Sequence, residues 1–191
     1  MSESLGILGG AFDPVHLGHL TIAQAAIEQF GLDQVLFVPT FAPANTHKII
    51  PTAFEHRCAM IELAIAGIEK CALSTIESEI EPPTYTIKML EKFKSIYPLA
   101  EFTFLMGADS LSQIESWHQP DKICKLARLA VASRSGHPHQ SHYPFVRIDM
   151  PEIDISATEL RNSLRAGHSV RFLVPDAVIA YIESHQLYRE E

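Results

Sequence analysis

Two histidines three residues apart, His16 and His19, lie in the run GILGGAFDPVHLGHL, residues 6 to 20, together with four glycines. Gly9 and Gly10 lack side chains, so the backbone can turn sharply and a ligand can come close to the peptide groups. Asp13 and Pro14 extend that turn. A helix starting near Leu17 to Gly18 would aim its unpaired amides and positive dipole end into the same space, which favours phosphate. Imidazoles, a glycine turn and a helix start are all donors, so an anion fits this run better than a metal, for which no third ligand is visible nearby. The plainer alternative is a pair of helix-start histidines satisfied by backbone carbonyls. Neither GxxxxGK[ST] nor GxGxxG is present, which disfavours an ordinary kinase and a dinucleotide oxidoreductase.

A second run, ISATELR, spans residues 155 to 161. Ser156 and Glu159 read as an S-x-x-E capping box, which explains a helix start but not the rest of the run. Arg161 falls in the second turn with Arg165 four residues on, so a guanidinium can stand beside a second set of amides. Two helix starts with donors make a cradle for a triphosphate.

These runs need a scaffold, and the hydrophobic pattern supplies one. LGILGG (5 to 10), QVLFVP (34 to 39), CALSTIESEI (71 to 80), EFTFLMG (101 to 107) and FVRIDM (145 to 150) read as strands, and residues 120 to 134 run from a short helix into another. Helical spacing marks 20 to 30, 54 to 67, 85 to 97, 155 to 167 and 175 to 188, with Gly31 and Gly67 as stops. The alternation predicts an α/β, Rossmann-like, doubly wound, mostly parallel sheet with helices on both faces, the C-terminal helices completing the site. With no repeat and no low-complexity linker, residues 1 to 191 read as one domain. The first run then leaves a strand and enters a helix, where such sheets bind ligands.

Composition narrows the partners. A formal charge of −8 argues against nucleic acid, which needs a field of Lys and Arg, but leaves room for a small anion. Cys58, Cys71 and Cys124 show no metal or disulfide spacing, and the N-terminus has an acidic residue where an export signal needs positive charge, so a reducing cytoplasm without membrane insertion is expected. Cys58 and Cys124 read as core thiols, Arg57 as part of a structural ion pair. His137, His139 and His142 fall in a polar loop that reads as solvated rather than metal-binding.

The run GGAFDPVHLGH resembles the HxGH signature of the nucleotidyltransferase superfamily, and ISATELR resembles its ISSTxxR partner, in the same order and about 140 residues apart. The landmarks VPTFAPANTHK (38 to 48), PPTYTIKML (82 to 90), FLMGADSL (104 to 111), SWH (116 to 118), ASRSG (132 to 136) and VPDAVIAYIESHQLY (174 to 188) resemble the bacterial nicotinate mononucleotide adenylyltransferases over nearly the whole chain. Ala11 and Ala157 depart from the family, which usually carries hydroxyl residues there.

The resemblance implies transfer of the adenylyl group of ATP to nicotinate mononucleotide, giving nicotinate adenine dinucleotide and pyrophosphate in NAD biosynthesis. Mg2+ would be carried by the ATP phosphates rather than by a protein cage. It implies catalytic roles for His16, His19 and Arg161. The ATP site would comprise Gly9, Gly10, Phe12 and Gly18 of the first run, Gly107 and Asp109 after the fourth strand, and Ser156 and Thr158 of the second run. The mononucleotide would meet Asn45, His47 and Lys48 in one loop, Tyr85, Thr86 and Trp117 around the pyridine, and Arg134 at its phosphate. Another small-acceptor enzyme such as pantetheine-phosphate adenylyltransferase, or a nucleotide-binding regulator without turnover, is the alternative. A tRNA synthetase fragment is disfavoured by the acidic charge and the lack of a KMSKS-like run. A homo-oligomer remains open.

Overall fold

The computed structural model describes residues 2–43, 50–132 and 141–189. The apolar run before the first glycine pair forms β1 (Ser4–Gly10), and the chain turns into α1 (Leu17–Phe30). Gly31 ends this helix in the left-handed region (φ 62°, ψ 39°), its amide returning to the Ile27 carbonyl, a conformation that costs a glycine least. β2 (Gln34–Pro39) and α2 (Phe54–Ile65) follow, then β3 (Cys71–Leu73), α3 (Thr86–Ile96) and β4 (Glu101–Gly107). The chain continues through α4 (Ala108–Ser112), α5 (Pro120–Leu126), β5 (Ala127–Ala132) and β6 (Phe145–Ile148), and closes with α6 (Ala157–Arg165) and α7 (Asp176–Ser184).

The six strands pair in the order β3-β2-β1-β4-β5-β6, and all five pairings are parallel. A parallel sheet must be covered on both faces, and successive residues of β2 show how. Val35 and Phe37 enter one core with Ala23 and Ile27 of α1, Met60 and Ile61 of α2, Leu160 of α6 and Val178 of α7. Leu36 and Val38 enter the other with Leu90 and Phe93 of α3, Leu111 of α4 and Ile123 of α5. The strand order reverses direction between β1 and β4, so the crevice such sheets use for ligands opens beyond Gly10 and Gly107. No helix among the described residues is long and apolar enough to cross a membrane.

Three local expectations change. The strand read over 71 to 80 stops at Leu73, and Ile76–Glu79 form a 3-10 turn. The cause is Glu77, whose buried carboxylate accepts hydrogen bonds from the Phe41 amide (3.0 Å) and the Thr84 hydroxyl (2.8 Å), pulling the chain out of the sheet. α4 and a further 3-10 turn at Ile114–Ser116 were not expected, since elements this short carry no readable periodicity. The Ser156 side chain makes no capping bond although Ser156 stands at the α6 N-cap position, so the expected capping box does not form.

Candidate active site

The turn after β1 is held from three sides. Phe12 adopts a left-handed φ of 51°, sparsely populated for a residue with a bulky side chain, and its ring is buried against Phe37 (5.7 Å) and His19 (4.8 Å). Any contact Phe12 makes with a nucleotide therefore runs through its backbone. Arg57 of α2 lies buried beneath the turn and donates to the carbonyls of Ala11 (2.7 Å), Thr40 (2.7 Å) and Thr52 (3.1 Å). The ion pair expected of Arg57 is replaced by these three carbonyls, which tie the ends of β1 and β2 together; burial lowers its pKa, and the nearby Asp13 charge opposes that. Tyr188, beyond α7, donates from its hydroxyl to Asp13 Oδ1 at 2.6 Å.

His16 is the N-cap of α1 and His19 its third residue. Their rings stack at 3.7 Å, inclined by 29°. The His16 amide donates to His19 Nδ1 at 3.3 Å. A nitrogen that accepts from a backbone N–H carries no proton, so neutral His19 holds its proton on Nε2, ready to donate. Gly18 makes the stack possible: a Cβ there would lie 3.1 Å from both Cε1 and Nδ1 of His16. The helix start is less open than the sequence suggested, because the Leu17 amide donates to Leu173 O (2.9 Å) and the His19 amide to His16 O (2.9 Å).

Arg161 comes to this turn from α6. Its Nη1 donates to the Asp13 carbonyl at 2.8 Å and its Nη2 to the Thr158 hydroxyl at 3.2 Å. Two bonds fix the plane of a group with five N–H donors, leaving a charged fork beside the histidine turn. Residues 148 positions apart are thus joined directly. Arg165 points elsewhere, to Asn162 Oδ1 (3.0 Å) on the exposed side of α6.

Beside the turn lies a cleft of about 430 Å³ lined by Gly9 and Gly10, by Thr40 of the β2 end, by Tyr85 and Thr86 at the start of α3, and by Trp117. Trp117 packs edge-on to Phe104 at 6.0 Å and is half-buried, so it is neither pure core nor surface. Tyr85 lies 4.4 Å from the His118 ring. Gly107 ends β4 at this crevice, and Asp109 is exposed in the first turn of α4. Ser156 and Thr158 lie at the start of α6, Thr158 engaged by Arg161. Glu77 and Thr84 also line the cleft, and the sequence reading missed both. A buried carboxylate bonded to a hydroxyl and an amide has no one-dimensional signal; only the fold brings Glu77 to Phe41 and Thr84.

Asn45, His47, Lys48 and Arg134 fall outside the described residues, as do His137 and His139. His142 is exposed and lies 3.6 Å from Glu115. Cys58 and Cys124 are half-buried rather than fully in the core, and burial raises the pKa of both thiols.

The cytidylyltransferase-like family model matches residues 7–163. A Lactiplantibacillus plantarum protein named probable nicotinate-nucleotide adenylyltransferase is 39% identical over 97% of this chain and 88% of its own length. A Thermus thermophilus protein of the same name is 39% identical over 97% of this chain and 99% of its own. The fold is shared with Plasmodium falciparum nicotinic acid mononucleotide adenylyltransferase, solved complexed with NaAD, at a TM-score of 0.84, 23% identity and 97% coverage of both chains. With its parallel sheet, its histidine turn and its arginine from α6, the chain belongs to the cytidylyltransferase-like family and, within it, to the nicotinate-nucleotide adenylyltransferases.

Proposed function

We propose that the chain transfers the adenylyl group of ATP to nicotinate mononucleotide, forming nicotinate adenine dinucleotide and pyrophosphate in NAD biosynthesis. The observation that carries this reading is the bond from Arg161 Nη1 to the Asp13 carbonyl, which sets the second signature run against the first.

An oxygen of the mononucleotide's 5'-phosphate attacks the α-phosphorus of ATP in line, the bond from that phosphorus to the bridging oxygen breaks, and pyrophosphate leaves with the electron pair. Such transfer depends on alignment and on neutralising charge on the equatorial oxygens. His19 donates from Nε2 to an α-phosphate oxygen, and His16 holds neighbouring phosphate oxygens. Arg161 and the amides from Ser156 to Thr158 grip the β- and γ-phosphates, with Gly9, Gly10 and Gly18 giving the backbone its close approach. Gly107 and Asp109 meet the adenylate side. The acceptor occupies the neighbouring cleft, its pyridine near Trp117 and its carboxylate near the start of α3 at Tyr85 and Thr86, where a helix dipole favours an anion. From the sequence, Lys48 and Arg134 are assigned to its phosphate, with Asn45 and His47 sharing the Lys48 loop as further mononucleotide contacts.

A divalent cation, Mg2+ in this reading, would take oxygen ligands from the triphosphate, the hard oxygen donors such an ion prefers. Bound there, it would supply charge neutralisation on those oxygens.

The test is pyrophosphate release with MgATP and one acceptor at a time: nicotinate mononucleotide, nicotinamide mononucleotide or 4'-phosphopantetheine. Turnover with the first acceptor well above the others is expected. Adenylylation of 4'-phosphopantetheine instead, or ATP binding without turnover on any acceptor, overturns the assignment.

A further inference from the structure

Asp13 is 1% exposed, and its carboxylate is held by Tyr188, three positions before the last residue. Tyr188 follows α7 with a left-handed φ of 63°, is itself 8% exposed, and places its hydroxyl 2.6 Å from Asp13 Oδ1. The tyrosine proton goes to the carboxylate, so the two side chains form one buried relay from Tyr188 to Asp13. Among the described residues the other carboxylate oxygen, Oδ2, is buried without a hydrogen-bond partner. The Tyr188 hydroxyl is therefore the side-chain donor to this carboxylate among the described residues.

The same residue faces the site through its backbone. Arg161 Nη1 rests on the Asp13 carbonyl, and His16 lies three positions later in the turn. We infer that Tyr188 is a positioning residue for the nucleotide: by holding the Asp13 side chain it fixes the carbonyl that orients Arg161, so the C-terminal tail sets the grip on the triphosphate. The inference rests on the proposed adenylyl-transfer reading for the role of Arg161. An isolated packing role does not explain why a phenol is placed in a strained backbone conformation with its polar end on a buried carboxylate, since a phenylalanine fills the same space.

Tyr188→Phe keeps the ring and removes the donor. Loss of a bond to a charged acceptor corresponds to a change of about tenfold or more in an affinity that depends on it. The expected result is an ATP dissociation constant, measured by calorimetry, raised about tenfold, while the KM for the mononucleotide stays within about twofold because the cleft at Trp117 is not touched. Tyr188→Phe and Asp13→Asn combined should weaken ATP less than the product of the two single effects, since both cut the same relay. Asp13→Asn alone, which removes the charged acceptor and leaves the tyrosine in place, should weaken ATP in the same direction by about two- to tenfold. This variant carries the test if Tyr188→Phe does not fold.

Unchanged ATP affinity in a folded Tyr188→Phe or Asp13→Asn variant overturns the inference. So does an equal loss for ATP and mononucleotide, or full additivity with Asp13→Asn, each the mark of general destabilisation. Failure of the wild-type chain to release pyrophosphate would instead sink the functional reading, and the comparison of ATP affinities would still decide the role of Tyr188.

Discussion

Replacing Gly18 by alanine tests whether the imidazole stack sets the chemistry. The new Cβ would sit 3.1 Å from two atoms of the buried His16 ring, against an ordinary contact of 3.4–4 Å. The ring must then retreat by a few tenths of an ångström, and it is stacked at 3.7 Å on His19, so the displacement passes to the donor. For stability two effects oppose each other. Alanine in a helix gains about 0.5–1 kcal/mol over glycine, whereas overpacking costs about 1–3 kcal/mol. The net change should be a loss of about 1 kcal/mol, or a few degrees in Tm. Catalysis has no such compensation: a misplacement of about 1 Å costs on the order of a hundredfold, so a fraction of that predicts a fall in kcat of about five- to tenfold.

Gly31→Ala is the control, because its Cβ meets nothing within 4 Å while its φ of 62° penalises any side chain. It should lose about 1 kcal/mol of stability and leave kcat unchanged. If the reasoning is right, thermal melts fall alike in the two variants and steady-state pyrophosphate release falls only in Gly18→Ala. A Gly18→Ala enzyme with kcat within twofold of wild type refutes it, as does a kcat loss of equal size in Gly31→Ala.

Three further outcomes are expected. His19→Ala should lower kcat by two or more orders of magnitude while ATP affinity changes by less than about threefold, because a donor to the α-phosphate acts mainly in the transition state; rapid turnover in that variant would remove His19 from the mechanism. Trp117, the single tryptophan, lines the cleft proposed for the acceptor and should report nicotinate mononucleotide by a change in fluorescence that ATP alone does not produce; an indifferent signal would place the pyridine elsewhere. Burial and the Asp13 charge push the Tyr188 pKa well above its ordinary value of 10.0. The folded state therefore holds the phenol proton where the unfolded chain has released it, so this stabilisation is complete below pH 10 and declines as pH rises above it. Denaturant melts should show a steeper alkaline loss in wild type than in Tyr188→Phe, and equal slopes would contradict the buried bond.

Much of the scaffold was legible because strands and helices write their periods into the chain. β2 and β4 have the bounds read from the sequence, and α1 starts at Leu17 as the histidine turn implied. Two of the errors share one cause, a partner distant in sequence. Residues 74 to 80 continue an apolar alternation, and only the distant Phe41 amide and Thr84 hydroxyl decide that Glu77 leaves the sheet. Arg57, expected to find an acid, found carbonyls instead, since the ends of β1 and β2 present bare C=O groups above it.

The sequence by itself determined the kinds of donor available to an anion: two imidazoles at one helix start and a guanidinium at another, with glycines where backbone must come close. Those follow from residue type and local spacing, which a chain carries before it folds. Only the tertiary structure decided that Arg161 rests on the Asp13 carbonyl, that Gly18 makes room for the His16 ring, and that Tyr188 reaches across 175 positions to the Asp13 carboxylate. Such contacts depend on the strand order and on how α6 and the tail pack against the β1 turn. Their energies come from burial and hydrogen-bond geometry, and no local pattern of residues contains either.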